Sequence, residues 1–183
     1  MRLVILGGAG AGKGTQAELL HQKLGIPFIS TGEILRTAIA TQTELGKQVQ
    51  SLVESGELVP DEQMIEWIGQ RLTQPDITQG WLLEGYPRTA FQAEELDFLL
   101  DALHQRLDYA ISLEVPDSIL VERSRLRART DDTPDILQRR LMLFHERTQP
   151  LLEYYQMRDR LLRVDGSQTV EHVQQEILKK LGH

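Results

Sequence analysis

The chain has 183 residues, enough for one domain with small insertions. Its hydrophobic fraction of 40% and charged fraction of 26% are typical of a soluble globular protein, and no apolar run approaches the roughly 18 residues that span a membrane. A net charge of −7 disfavours nucleic-acid binding, and the absence of cysteine excludes disulfides and thiolate zinc sites, which fits a cytoplasmic protein.

Strands and helices alternate along the chain. Residues 2–6 (RLVIL) form a short apolar run typical of a buried parallel strand, and a helical pattern over 13–24 follows it and stops at Gly25. Further strands are predicted at 27–30, 81–85, 108–115 and 161–165. Further helices are predicted at 31–41, 44–55, 61–74, 89–104, 117–128, from 134 onward with a bend at Pro150, and at 169–181.

This alternation predicts the fold class. Helices between successive strands indicate an α/β protein, with a five-stranded parallel sheet covered on both faces and therefore three layers. The three helices between the second and third strands exceed a simple crossover, so we expect a small helical insertion at 30–59.

The first strand leads into the glycine-rich stretch GGAGAGKGT, residues 7–15. Phosphate binding explains this composition, because several backbone N–H groups must converge on phosphate oxygens, and Lys13 adds a charge. A plain glycine turn is the simpler alternative. A dinucleotide fingerprint is a second one, but its register fails because Lys13 stands where a glycine or alanine is needed. The stretch therefore predicts a nucleoside triphosphate site.

Arginine is used unevenly. The chain has 15 arginines among 20 cations, and six of them fall between residues 123 and 140. Since arginine binds phosphate and carboxylate groups in a planar, bidentate way, this cluster in an acidic chain indicates a small polyanionic ligand.

Three motifs resemble those of adenylate kinases, in the nucleoside monophosphate kinase family. GKGTQ at 12–16 places Gly14 between the lysine and Thr15, as that family does. STGEILR at 30–36 resembles its STGDxLR, and EGYPRT at 84–89 resembles its DGFPRT. The resemblance covers residues 1 to about 181. The chain departs from the family pattern at Ala9, where proline is usual, and at Glu33 and Glu84, where aspartate is usual.

The resemblance implies a fold and an activity. The fold is a single P-loop kinase domain, with core segments 1–29, 60–125 and 133–183, an NMP-binding subdomain at 30–59, and a short lid at 126–132 without zinc. The activity is a reversible, Mg²⁺-dependent transfer of the terminal phosphoryl group of ATP to AMP, giving two ADP and serving adenine nucleotide homeostasis. A monomer is expected.

The resemblance also implies site residues. The implied ATP-binding residues are Gly10, Ala11, Gly12, Lys13, Gly14, Thr15, Arg123, Arg127 and Gln168. The implied AMP-binding residues are Thr31, Gly32, Arg36, Glu57, Leu58, Val59, Gly85, Tyr86, Pro87, Arg88, Gln92, Arg129 and Arg140. The implied catalytic residues are Lys13, Arg88, Arg127, Arg129 and Arg140. Mg²⁺ is held through phosphates and water, with Thr15 and Glu84 as candidate contacts.

Particular chemistry supports these assignments. Arg36 and Arg88 both follow strand ends, so they converge where open α/β sheets bind ligands. Gln92 can donate to and accept from an adenine edge at once, and by resemblance Arg123 stacks on the ATP base. Asp131 and Asp132 are hypothesised to pair with arginine at the lid hinge. Surface pairing with acids is the simpler interpretation of Arg125, Arg147 and Arg158.

Two other functions stay open at this point. A UMP/CMP kinase has the same motifs, but Thr31 and Thr89 favour AMP as the acceptor. A P-loop switch that hydrolyses a nucleotide to regulate a partner is the second alternative, and the second nucleotide station and the absence of an N-K-x-D motif disfavour it.

Overall fold

Five parallel strands form the sheet of the computed structural model, which describes residues 1–127 and 133–183. The strands are β1 (Arg2–Leu6), β2 (Phe28–Ser30), β3 (Trp81–Glu84), β4 (Tyr109–Glu114) and β5 (Leu161–Asp165), in the spatial order β2-β3-β1-β4-β5. The predicted α/β class and five-stranded parallel sheet are therefore confirmed. The central strand β1 pairs with β3 on one side and β4 on the other.

Eight α-helices accompany these strands in the described part of the chain. They are α1 (Lys13–Leu24), α2 (Thr31–Ala40), α3 (Glu44–Ser55), α4 (Asp61–Arg71), α5 (Ala90–Ala102), α6 (Asp117–Arg127), α7 (Pro134–Gln156) and α8 (Val170–Leu181). None of the helices in residues 1–127 and 133–183 combines the length and apolar character needed to cross a membrane.

Local sequence explains where many helices begin. The hydroxyl groups of Ser30, Thr43, Thr89, Thr133 and Thr169 each accept a backbone N–H bond at the start of α2, α3, α5, α7 and α8 respectively. Such caps satisfy donors that have no partner within the helix. Serine and threonine therefore mark five helix starts that the sequence pattern placed within one residue.

The largest difference from a predicted boundary is at the end of α4. Helix α4 ends at Arg71 rather than 74, and a short 3-10 turn at Pro75–Ile77 follows. Gln74 is extended because a residue before proline avoids helical angles. Helix α7, in contrast, runs through Pro150. The bend predicted there stays a prediction.

The sheet carries hydrophobic core on both faces. Val4 and Leu6 of β1 pack into one core with α4, α5 and α7, whereas Leu3 and Ile5 pack into the other core with α1 and α8. This alternation follows from the two-residue period of a strand. The layered arrangement leaves the carboxyl edge of the sheet as the place where loops from several strands meet.

Candidate active site

One cleft of about 1030 Å³ lies at the carboxyl edge of the sheet. Every predicted site residue that the structure describes lines this cleft, from the glycine loop to Gln168. Arg129, Asp131 and Asp132, and most of the predicted lid, lie outside the described residues. The cleft gathers segments that are distant in sequence.

The glycine loop has the backbone conformation that its composition predicts. Gly10 has φ +86°, and a Cβ there would lie 2.4 Å from the carbonyl oxygen of Leu120. Gly12, the residue just before α1, has a left-handed backbone conformation with φ 90°. It provides no side-chain cap for the helix. An uncapped helix N-terminus leaves backbone N–H groups and the positive end of the helix dipole facing the cleft, which favours an anion such as phosphate.

Lys13 lies on its own loop and beside a carboxylate. Its Nζ donates to the carbonyl oxygens of Gly7 and Gly8 at 2.8 and 2.9 Å, and lies 3.9 Å from Oε1 of Glu84. Strand register explains the last distance, since Glu84 of β3 is aligned with Ile5 of β1, two residues before the loop. The ammonium group is therefore held at the point where the loop opens into the cleft.

Glu84 is ionised at this edge. Burial alone would raise the pKa of Glu84, but Lys13, the Ser30 hydroxyl, and then Arg88 and Arg36 together lower it. The Ser30 hydroxyl donates to Oε2 of Glu84 at 2.6 Å and also accepts the N–H of Glu33 as the α2 cap. Glu84 thus connects the glycine loop to the start of the helix that carries Arg36.

Three arginines, Arg36, Arg88 and Arg140, carry positive charge in this part of the cleft. Arg88 lines the cleft and is exposed to solvent. Desolvation lowers the pKa of Arg88, Glu84 raises it, and the positive charges of Arg140 and Arg36 lower it further. Like charges gathered in this way repel one another unless an anion binds among them, which makes the cluster a candidate phosphate site.

The turn after β3 brings its backbone close to α2. Gly85 has φ +89°, and a Cβ there would lie 2.3 Å from Oγ1 of Thr31. The Thr31 hydroxyl donates to the carbonyl of Glu84 at 3.2 Å, and Thr31 is buried. Arg88 Nε donates to the carbonyl of Gly85 at 2.7 Å. The two predicted acceptor motifs therefore contact each other directly.

The predicted base-contacting residue Gln92 is also buried in the cleft wall. Its amide nitrogen donates to Oδ1 of Asp61 at 2.6 Å, and its amide oxygen accepts the backbone N–H of Arg88 at 2.7 Å. The Pro60-Asp61 pair marks the start of α4 in the sequence, but no local signal places Asp61 beside Gln92.

Two predicted ATP-binding residues, Arg123 and Gln168, lie outside the glycine loop. The guanidinium of Arg123 donates to the carbonyls of Gly166 and Ser167 at 2.8 and 3.1 Å. Gln168 follows in the same loop and donates to Glu176 at 3.0 Å. Arg123 thus joins α6 to the loop after β5, and stacking of Arg123 on a base stays a prediction.

Some arginines in the chain have the acidic partners expected of a surface face. Arg147 lies 3.4 Å from Glu146, although it also lines the cleft. Arg158 lies 3.8 Å from Asp97 and stacks on the ring of Tyr154. These contacts fit the simpler interpretation of both residues.

Ala9, the unusual residue in the loop, covers a small cavity. This cavity has a volume of about 10 Å³ and lies between Ala9 and helices α6 and α7. Its other lining residues are Leu120, Val121, Ser124, Leu137 and Leu141. Within the described part of the chain, the buried Ser124 hydroxyl has no hydrogen-bond partner.

Comparison with known proteins agrees with the geometry. The adenylate kinase family profile matches residues 5–160. The chain is 59% identical over 181 residues to adenylate kinase 2 of Nostoc sp., covering 99% of this chain and 98% of that protein. It is 54% identical to adenylate kinase 2 of Synechocystis sp., covering 99% and 100%, and 42% identical to adenylate kinase of Nocardia farcinica, covering 100% and 99%.

A glycine loop, an ionised carboxylate and a group of arginines on one cleft agree with a match that extends over nearly the whole chain. The chain therefore belongs to the adenylate kinase family, whose reaction is phosphoryl transfer between ATP and AMP.

Proposed function

We propose that the cleft binds two nucleotides together, ATP at the glycine loop and AMP beside α2, and transfers the terminal phosphoryl group between them to give two ADP. The observation that carries this proposal is the position of Glu84. It ends β3, which lies between β1, leading to Lys13, and β2, leading to Arg36. Phosphate-binding sites at neighbouring strand ends would bring the reacting phosphate groups of the two nucleotides close together.

The chemistry requires charge and position more than proton transfer. The phosphate of AMP is mostly ionised at pH 7, since its second pKa is about 6, so no general base is needed. An oxygen of the AMP phosphate attacks the terminal phosphorus of ATP. The bond from that phosphorus to the oxygen bridging the β- and γ-phosphates breaks, and this oxygen leaves with ADP. Arg88 and Arg140, with Arg127 and Arg129 by family resemblance, neutralise the phosphoryl oxygens while Lys13 neutralises the donor phosphates.

Magnesium accompanies ATP in this proposal. Thr15 and Glu84 line the cleft and supply a hydroxyl and an ionised carboxylate, which suit a hard cation. Thr15 and Glu84 would help to hold the ion, directly or through water, and the bound ion would supply positive charge against the phosphates. A monomeric state and a cytoplasmic location stay predictions from the sequence.

A coupled assay of ADP formation tests the function. ATP is supplied with AMP, with UMP or CMP, or with no acceptor. We expect ADP to form only in the presence of AMP. Turnover that depends on UMP or CMP would instead support a pyrimidine nucleotide kinase, and ADP formed without acceptor would support a hydrolytic switch. Either result without AMP-dependent turnover contradicts the proposal.

A further inference from the structure

The Gln92 side chain is held from both ends. Its amide nitrogen donates to Asp61 at 2.6 Å and its amide oxygen accepts the Arg88 N–H at 2.7 Å. Its backbone is held as well, because its N–H donates to Oγ1 of Thr89 at 3.1 Å and its carbonyl accepts the Tyr86 hydroxyl at 3.2 Å. With 2% of its surface exposed, Gln92 has little freedom to reorient.

The chemistry of the two partners defines which way the amide points. A carboxylate only accepts hydrogen bonds, and a backbone N–H only donates. Turning the Gln92 amide over would set its oxygen against Asp61 and its NH₂ group against the Arg88 N–H. Both contacts would be repulsive. The amide orientation is therefore determined by Asp61 and Arg88 together.

Asp61 is well placed for this role. It is the first residue of α4, where the helix dipole stabilises a negative charge. The negative charge of Asp61 also acts on the neighbouring Tyr86. The pKa of the Tyr86 hydroxyl is raised first by burial and then by Asp61 and Glu95. The residue is partly buried, so its contact with Gln92 is shielded from water.

The fixed amide offers a ligand one remaining N–H and one remaining oxygen lone pair in a set order. Adenine presents a 6-amino donor next to a ring-nitrogen acceptor, which matches that order. Guanine in the same position presents O6, an acceptor, to the amide oxygen. An amide free to turn over could instead satisfy the O6 and N1–H edge of guanine, so the locked orientation is what makes a glutamine selective.

We propose that Asp61 is a positioning residue that locks the Gln92 amide and thereby makes the acceptor site prefer adenine to guanine. This inference rests on the proposed function, because it takes the Gln92 side of the cleft as the acceptor site. It assigns a specificity role to a residue that contacts the glutamine rather than the nucleotide.

Asp61→Asn tests the inference, because asparagine has the same shape but both donates and accepts, so the Arg88 N–H alone is left to set the amide orientation. Dissociation constants for AMP and GMP are measured by calorimetry. We expect the preference for AMP over GMP to fall by about tenfold or more. The matched control is Glu62→Gln, which removes a charge from the same helix turn at an exposed residue. Its preference should equal that of the natural chain.

A double-mutant cycle separates positioning from a general structural effect. In a Gln92→Ala background the amide is gone, so Asp61→Asn should no longer change the AMP-to-GMP ratio. An unchanged ratio in Asp61→Asn alone, or an equal fall with and without Gln92, overturns the inference. If the natural chain shows no AMP-dependent turnover, the proposed function fails instead, which the acceptor assay reports separately.

Discussion

Among single residues, Glu84 interacts with most of the charged groups described in the cleft. It accepts a hydrogen bond from Ser30 and lies near Lys13, and the charges of Arg36 and Arg88 lower its pKa. Glu84 stands where the family motif usually has aspartate. The structure adds that the longer side chain reaches the cap of α2 on one side and the glycine loop on the other.

The lowered pKa of Glu84 has a consequence for stability. Because the pKa is lower in the folded state than in the unfolded one, the ionised form stabilises the fold. This stabilisation is complete above about pH 4.3, the usual glutamate value, and is lost as the pH falls through the folded-state pKa. Compared with Glu84→Gln, the natural chain should therefore lose more of its free energy of unfolding on acidification.

Urea unfolding of both proteins over a pH series measures this difference. We expect the difference in free energy of unfolding, natural chain minus Glu84→Gln, to decrease as the pH falls below about 4.3. A difference that stays constant or grows on acidification would contradict the assignment of a stabilising carboxylate.

At the scale of helices and strands, the sequence located most elements because their signals are local. Hydroxyl caps, glycines after helices and short apolar runs each act within a few residues. Helices α2 and α3, which lie between β2 and β3 in the chain, depend on close packing against each other. A Cβ on Gly46 of α3 would lie 2.0 Å from the carbonyl oxygen of Ala38 in α2, so these two helices touch through backbone.

Two helical glycines should respond in opposite ways to alanine. Gly46→Ala forces α2 and α3 apart, and we expect it to lower the free energy of unfolding by about 1–3 kcal/mol or more. Gly69→Ala in α4 places its Cβ 3.6 Å from Leu99, an ordinary contact. It should raise stability by up to about 1 kcal/mol, because alanine favours helix. Urea unfolding compares them, and similar effects at both sites would argue against the tight contact.

At the scale of the whole molecule, the cleft draws on both halves of the chain. Arg139 of α7 lies 2.7 Å from Glu57, which follows α3. This contact joins the segment after α3 to the helix that carries Arg140. Both side chains are partly exposed, so the pair itself contributes little energy, but it shows how closely the two parts approach.

A ligand that carries two adenosines joined by phosphates should occupy both stations at once. At a hundredfold excess over its Kd, such a ligand stabilises the fold by about 2.7 kcal/mol, which raises Tm by about 5–10 °C for a chain of this size. Differential scanning fluorimetry with ATP at equal concentration gives the comparison. A shift no larger than that of ATP would mean that the ligand fills one station only.

Short contiguous patterns in the sequence predicted the fold class and the glycine loop, and family resemblance predicted the residues of both nucleotide sites. Which distant side chains meet is known only from the folded structure. Ser30 and Glu84 are 54 residues apart, Asp61 and Gln92 are 31 apart, and Glu57 and Arg139 are 82 apart. Such contacts follow from strand register and helix packing, which no local pattern encodes. The partner that orients Gln92 was therefore visible only once β3, α4 and α5 were folded against one another.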